Sequence, residues 1–318
     1  MRSTISWRRI ACAAALIAVC AGSGKLLGQG ESGPLGPSPT DTPPIRPAPM
    51  AVGSFAGSAA PNQSLRPSPT VVAFANLPTG EQPQVAEHPL AGALRIAEKS
   101  MENINKNVKD YTCTMIKRER IDGEVTDPEY MYVKVRHQPF SVYLNFLKPA
   151  DEQGREVIYV EGRNNGKMTA HEGSGLKARF GAVDLNPTSA MAMKGNKYPI
   201  TQLGVKNLVR RLLEVGSQDM KYGECDVTYR KNAKVNDRVC TIIEVMHPVP
   251  RRNFIFHKAL IYVDDELNLP IRYEAYTWPK TQGGRPELDE EYTYLNLKVN
   301  VGLTDADFEP ANPNYHFK

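Results

Sequence analysis

The sequence predicts an α+β domain in which a curved antiparallel sheet wraps around helices. Three observations predict it. One stretch repeats apolar residues at helical spacing, long flanking stretches repeat them at every second position, and a Pro-rich leader can contribute to neither. Of the 318 residues, 39 are Lys or Arg and 35 are Asp or Glu, giving a formal net charge of +4. The first thirty residues hold Arg2, Arg8, Arg9 and Lys25 and no acid, so the rest of the chain is neutral. A neutral domain lacks the basic field that drives phosphate binding by counterion release, which excludes nucleic acid as the expected partner.

The N-terminal region reads as targeting sequence followed by tether. Three arginines precede an apolar run from Ile10 to Ala21, and Gly22, Ser23 and Gly24 follow, as in a secretory signal. A helix of about twelve residues reaches only ~18 Å, too short to span a bilayer. Leu16 to Cys20 approximates a bacterial lipobox, so acylation of Cys20 is a possible membrane attachment, although Val19 departs from the small residue expected there. About half of the 25 prolines lie between Pro34 and Pro89. Such a segment cannot bury enough apolar surface to offset its ordering entropy. The expected organisation is a signal peptide at 1–29, a disordered Pro-rich linker at 30–88 and one α+β domain at 89–318.

The domain opens with a helix. Pro89 suits its first turn, and Leu90, Leu94, Ala97, Met101, Ile104 and Val108 form one apolar stripe. From Tyr111 the period becomes two, with turns expected at Asp122-Gly123, at 148–151 and at Asn164-Asn165-Gly166, which describes an antiparallel meander. Met131, Val133 and Val135 share one face of a strand, and Phe140, Val142, Leu144 and Phe146 one face of the next. An insert follows, with a short helical candidate between Asn186-Pro187 and Gly195 and a helix from about Gln202 to Val215 carrying Leu208, Val209, Leu212 and Leu213. Strands are expected again at 239–246, 254–263, 271–278 and 292–301. In the last, Thr293, Leu295, Leu297, Val299 and Val301 alternate with polar or tyrosine positions. Eight to eleven strands and two or three helices result. Cys113, Cys225 and Cys240 read as buried free thiols, because a hairpin turn at Asn236-Asp237 sets Ala233 opposite Cys240 and leaves Cys225 beyond it.

No motif for nucleophilic catalysis, phosphate cradling or zinc proteolysis occurs. His171-Glu172 with His247 and His257 could supply a base or metal ligands, but their spacing favours ordinary histidines. Asp264-Asp265-Glu266 reads as a solvated turn, because it lacks the alternating ligands of a calcium loop. Arg251 and Arg252 are candidates for binding a lipid head group or phosphate. The pairs Tyr130 with Tyr132 and Tyr292 with Tyr294 read as outer-face cross-strand packing.

Four segments carry a resemblance. Tyr-Thr-Cys-Thr-Met-Ile-Lys-Arg-Glu-Arg at 111–120, Gly-Arg-Glu-Val-Ile-Tyr-Val-Glu-Gly at 154–162, Gly-Asn-Lys-Tyr-Pro-Ile-Thr at 195–201 and the run from Tyr262 to Tyr276 resemble domain-of-unknown-function family 1571, a family of exported bacterial proteins. More distantly, the order of elements resembles the LolA/LolB lipoprotein carriers and the MucB-type periplasmic sensor domains. That resemblance implies an incompletely closed barrel with a helical lid over an apolar cavity that receives acyl chains. The expected function is a non-enzymatic binding protein of the periplasm or cell envelope, without cofactor or metal, holding a lipid or acylated protein. Met131, Val133, Val135, Phe140, Val142, Leu144 and Phe146 would line the cavity from the sheet, and Leu208 and Leu212 from the lid. A tethered sensor or protein-interaction module and an uncharacterised hydrolase are the alternatives.

Overall fold

The computed structural model describes residues 87–179 and 181–317. The expected signal, Cys20 and nearly all of the linker lie outside the described residues. Helix α1 (Ala91–Asn107) opens the domain, followed by β1 (Asp110–Ile121), β2 (Glu124–Val125), β3 (Glu129–His137), β4 (Phe140–Lys148), β5 (Glu156–Val160) and β6 (Met168–His171). The insert comprises a helical turn α2 (Gly175–Ala178), β7 (Val183–Leu185), α3 (Ala190–Met193) and α4 (Val205–Asp219). A second meander closes the chain: β8 (Asp226–Val235), β9 (Arg238–Met246), β10 (Lys258–Asp264), β11 (Leu269–Thr277) and β12 (Glu287–Val299).

All twelve strands belong to one antiparallel sheet, in the order β7-β6-β5-β4-β3-β1-β12-β11-β10-β9-β8, with β2 attached to β1. The first long strand therefore pairs with the last, and the edge strands β7 and β8 do not pair, so the barrel stays incompletely closed. Turn chemistry sets the hairpins: Asp122 and Asn236 adopt φ 51° and 52°, a left-handed conformation that Asn and Asp tolerate better than most residues. Ala233 faces Cys240 across the second of these, as the sequence requires, and all three cysteines are free and buried.

The strands alternate as expected, but the two faces have different covers. Val133, Val135, Val142 and Leu144 join Ile104, Val205 and Val209 in the main core, beneath α1 and α4. The opposite side of the same strands is covered by the C-terminal segment. Phe308, Tyr315 and Phe317 bury Tyr143, Ile158 and Val160, and the Tyr315 ring stacks on Tyr143 with centroids 4.1 Å apart. Lys134 and Arg136, which alternate with the core valines, hold that segment through Asp307 at 2.8 Å and Asp305 at 2.7 Å.

Several boundaries move. The strand expected from Phe254 begins at Lys258, the helix expected over 202–215 runs from Val205 to Asp219, and the short helical candidate contracts to α3. Asp264 is not a solvated turn residue. It is fully buried, paired with Arg238, and accepts hydrogen bonds from the backbone N–H groups of Glu266 (3.0 Å) and Leu267 (2.9 Å).

Helix α4 begins without a side-chain cap of its own, after Gly204 at φ 104°. Instead the buried Tyr111 hydroxyl of β1 accepts a 3.0 Å hydrogen bond from the Val205 N–H. A Cβ on Gly204 would lie 2.6 Å from that hydroxyl oxygen, so glycine is required by contact as well as by φ. Further along, Gly216 lets α4 approach α1, where an added Cβ would meet Leu94 at 2.8 Å. Tyr111→Phe leaves the Val205 N–H buried without a partner. It should lower unfolding free energy by about 1–2 kcal/mol in urea denaturation, with no change in the strand signal of circular dichroism.

Candidate functional site

Between the sheet and the helices lies a cavity of about 1530 Å³. This exceeds the roughly 300–1,000 Å³ of sites for drug-sized ligands. Its roof is built by Leu94 and Ala97 of α1 and by Leu208, Leu212 and Val215 of α4, with α3 and its flanking loops covering one side. One lobe of the floor comes from β1 and β3–β6, with Met115, Met131, Leu144, Phe146, Val157 and Met168. The other comes from β9–β11, with Ile243, Val245, Ala259, Ile261 and Tyr273.

Of the residues expected to line it, Met131, Leu144, Phe146, Leu208 and Leu212 border the cavity. Val133, Val135 and Val142 instead pack fully into the main core, nearer the ends of α1 and α4. Phe140 packs at the core margin beside Tyr159, with ring centroids 6.2 Å apart. Strand periodicity identifies a face but not where along that face helices leave room. Arg251 and Arg252 are exposed on the loop before β10, outside the lining, and Arg251 is paired with Glu224.

Tyr292 and Tyr294 border the cavity and do not form outer packing. Asn296, at φ 53°, and Leu297 together oppose the single Cys113, making a β-bulge. The bulge changes the phase of alternation along β12. The tyrosines therefore face inward before it, while Leu297 and Val299 still reach the core beyond it. Tyr132, by contrast, is outward and partly exposed.

A polar bar crosses the floor between the lobes. Glu119 of β1 and Glu290 of β12 stand directly opposite each other and are both buried. The Lys197 backbone N–H donates to Glu119 at 2.8 Å, and the Tyr292 hydroxyl also donates to it. Glu290 accepts from the Tyr198 hydroxyl at 3.0 Å and pairs with the Lys197 Nζ at 3.4 Å. Lys117, also buried, donates to Asn196 at 2.5 Å and pairs with Glu129 at 3.1 Å. Burial raises the Glu290 carboxyl above its ordinary value, partly opposed by Lys197. Sequence reading picked out the segment 195–201 only as a family signature. Its chemistry is to bring Asn196, Lys197 and Tyr198 onto this bar.

A second polar pair was seen only in half, since the sequence singled out His247 as a possible partner of His171 and did not single out Asp219. Asp219, the last residue of α4, borders the cavity and is buried, with its Oδ2 3.4 Å from the Nε2 of fully buried His247. Burial raises Asp219 from 3.8 to about 6 and lowers His247. The available signal was an acid in the last turn of an apolar helix, where the helix dipole disfavours it. His171 and Glu172 border the cavity at its β6 end, away from His247; His171 stands opposite Glu156, with the Phe317 ring centroid 6.3 Å away. Among the described residues, no group of three or more His, Cys, Asp or Glu is placed to hold a metal ion.

The fold is thus an α+β half-barrel roofed by two helices over a large, mainly apolar cavity. The family described as "Protein of unknown function (DUF1571)" matches residues 108–317, and the chain belongs to it. No curated protein matches the chain. Among solved structures it is similar to the lipoprotein LppX of Mycobacterium tuberculosis, at 13% identity over 67% of this chain and 98% of that one, with a TM-score of 0.39. A chain of the MucA/MucB complex of Pseudomonas aeruginosa is similar at 14% identity over 69% and 61%, TM-score 0.39. A LolA superfamily protein from Nitrosomonas europaea is similar at 13% identity over 67% and 97%, TM-score 0.28. Likeness at this level transfers neither ligand nor partner.

Two outcomes are expected. Lys117→Met leaves buried Glu119 and partly buried Glu129 without their cation and should cost about 3–5 kcal/mol of stability, measured by denaturant titration. For Asp219, the folded state binds more protons than the unfolded state between about pH 4 and 6, so its contribution to stability is present at low pH and is lost as pH rises through about 6. His247, lowered in the fold, acts with opposite sign on the acid side. Asp219→Asn removes only the first effect. Its stability relative to the parent should therefore rise by on the order of 1–3 kcal/mol between pH 4 and pH 7.

Proposed function

We propose that this is an exported, non-enzymatic binding protein that holds a lipid or an acylated chain between its sheet and its helical lid. The observation that carries the reading is the cavity of about 1530 Å³ with aliphatic walls on both sheet lobes and on α1 and α4. An acyl chain gains about 0.8 kcal/mol per methylene transferred out of water, so several carbons suffice for useful affinity. Met131, Leu144, Phe146, Leu208 and Leu212 supply such contacts. The leader fits the same reading: a signal segment over 1–29 directs export, and the Pro-rich segment over 30–88 spaces the domain from its point of attachment.

A fluorescent monoacylglycerol tests it. The parent protein should bind the probe saturably, and Leu212→Trp, which fills space beneath the lid, should weaken binding about tenfold, equivalent to ~1.4 kcal/mol, with the thermal transition little changed. Absence of probe binding by the parent would overturn the carrier reading. Equal binding by parent and variant would place the probe outside the cavity and would overturn it as well.

A further inference from the structure

The β9–β11 lobe ends at polar atoms that the apolar cavity does not explain. Among the described residues, no hydrogen bond reaches the Asp219 carboxylate, and His247 Nε2 is buried without a partner 3.4 Å from it. His247 Nδ1 lies 3.1 Å from the Phe256 carbonyl oxygen. A carbonyl only accepts, so Nδ1 carries the ring hydrogen, and in the neutral ring Nε2 presents a lone pair toward Asp219. The Phe256 carbonyl and two packed aromatic rings hold the imidazole in this orientation. Phe254 stacks on it at 3.9 Å, Phe256 packs at 4.8 Å, and the His247 backbone carbonyl is 2.9 Å from His257 Nδ1. Of the other ionisable neighbours, Cys225 is buried and lends no cation, His257 acts on His247 but not on Asp219, and among the described residues no Lys or Arg reaches Asp219. The Asp219 carboxylate thus borders the cavity with the buried His247 lone pair behind it, and the missing element is a donor.

Resting on the reading of the cavity as an acyl-chain site, we infer that Asp219, backed by the buried His247 lone pair, forms a hydrogen-bond-accepting anchor that selects ligands with a hydroxyl head over ligands with a carboxylate head. A hydroxyl at the cavity margin donates to the Asp219 carboxylate, the acceptor that borders the space. A carboxylate brings a further acceptor and a like charge and meets no cation, so it leaves every group at the margin unpaired. The chain of such a ligand would run from Asp219 beneath Val215 and Leu212, over Ile243 and Ala259.

The test is competition at pH 7.5 between 1-dodecanol and dodecanoate, each displacing the fluorescent monoacylglycerol from the full chain. The parent should favour dodecanol at least tenfold. Because any apolar cavity admits an uncharged head more readily, the deciding quantity is the change in that ratio on substitution. Asp219→Asn supplies a donor and removes the charge, and should reduce the ratio at least fivefold. Asp219→Ser should do the same and serves if the amide variant does not fold. Equal competition in the parent, or an unchanged ratio in a folded variant, would overturn the anchor while leaving the acyl-chain reading in place. Failure of both competitors to displace the bound probe would overturn the shared reading instead.

Discussion

Glu119 and Glu290 face each other across β1 and β12, the strand pair that joins the two halves of the sheet. Like charges directly opposite are destabilising, and burial raises the cost of each. The pairing therefore depends on groups from outside the two strands. Lys197 and Tyr198 come from the insert, Lys117 and Tyr292 from the strands' inward faces, and together they satisfy both carboxylates. The insert is consequently fixed to the middle of the sheet by charge, while its helices rest on apolar residues to either side.

That arrangement explains why the cavity exists. The main core joins α1 and α4 to Val133, Val135 and Val142, and a second cluster forms around Ile243, Phe256 and Ile261. Between them the polar bar holds up the loop over residues 195–199, and the helices cannot settle onto the floor without displacing buried charges. Dense packing is the default for protein interiors, so a space this large needs such a support. The C-terminal segment contributes from the other side. By covering Tyr143, Ile158 and Val160 it lets β4 and β5 carry apolar residues on both faces, which frees the inward face to line a cavity.

Much of the fold was legible because its causes are local. The stripe from Leu90 to Val108, the turns at Asp122-Gly123 and Asn236-Asp237, and the alternation of Val133 and Val135 with Lys134 and Arg136 each follow from backbone geometry and side-chain period. The family signature at 195–201 was equally visible, but its partners Glu119 and Glu290 lie far away in sequence. The phase of β12 was misread for a related reason: one left-handed residue, Asn296, reverses which face Tyr292 and Tyr294 occupy, and periodicity cannot register an inserted residue.

The sequence by itself determined the α+β class, the two meanders around a helical insert, the free cysteines and the apolar faces of the strands, since each rests on spacing between near neighbours. Tertiary structure alone decided which of those apolar residues pack and which border space. Val142 and Leu144 are two residues apart on one face, yet the first is sealed in the core and the second borders the cavity, because the distance to the lid changes along the strand. The same holds for Asp219 and His247, 28 positions apart in the chain and brought together only when α4 docks against the end of β9. Long-range docking sets where space and unpaired polar atoms remain, and no local pattern encodes it.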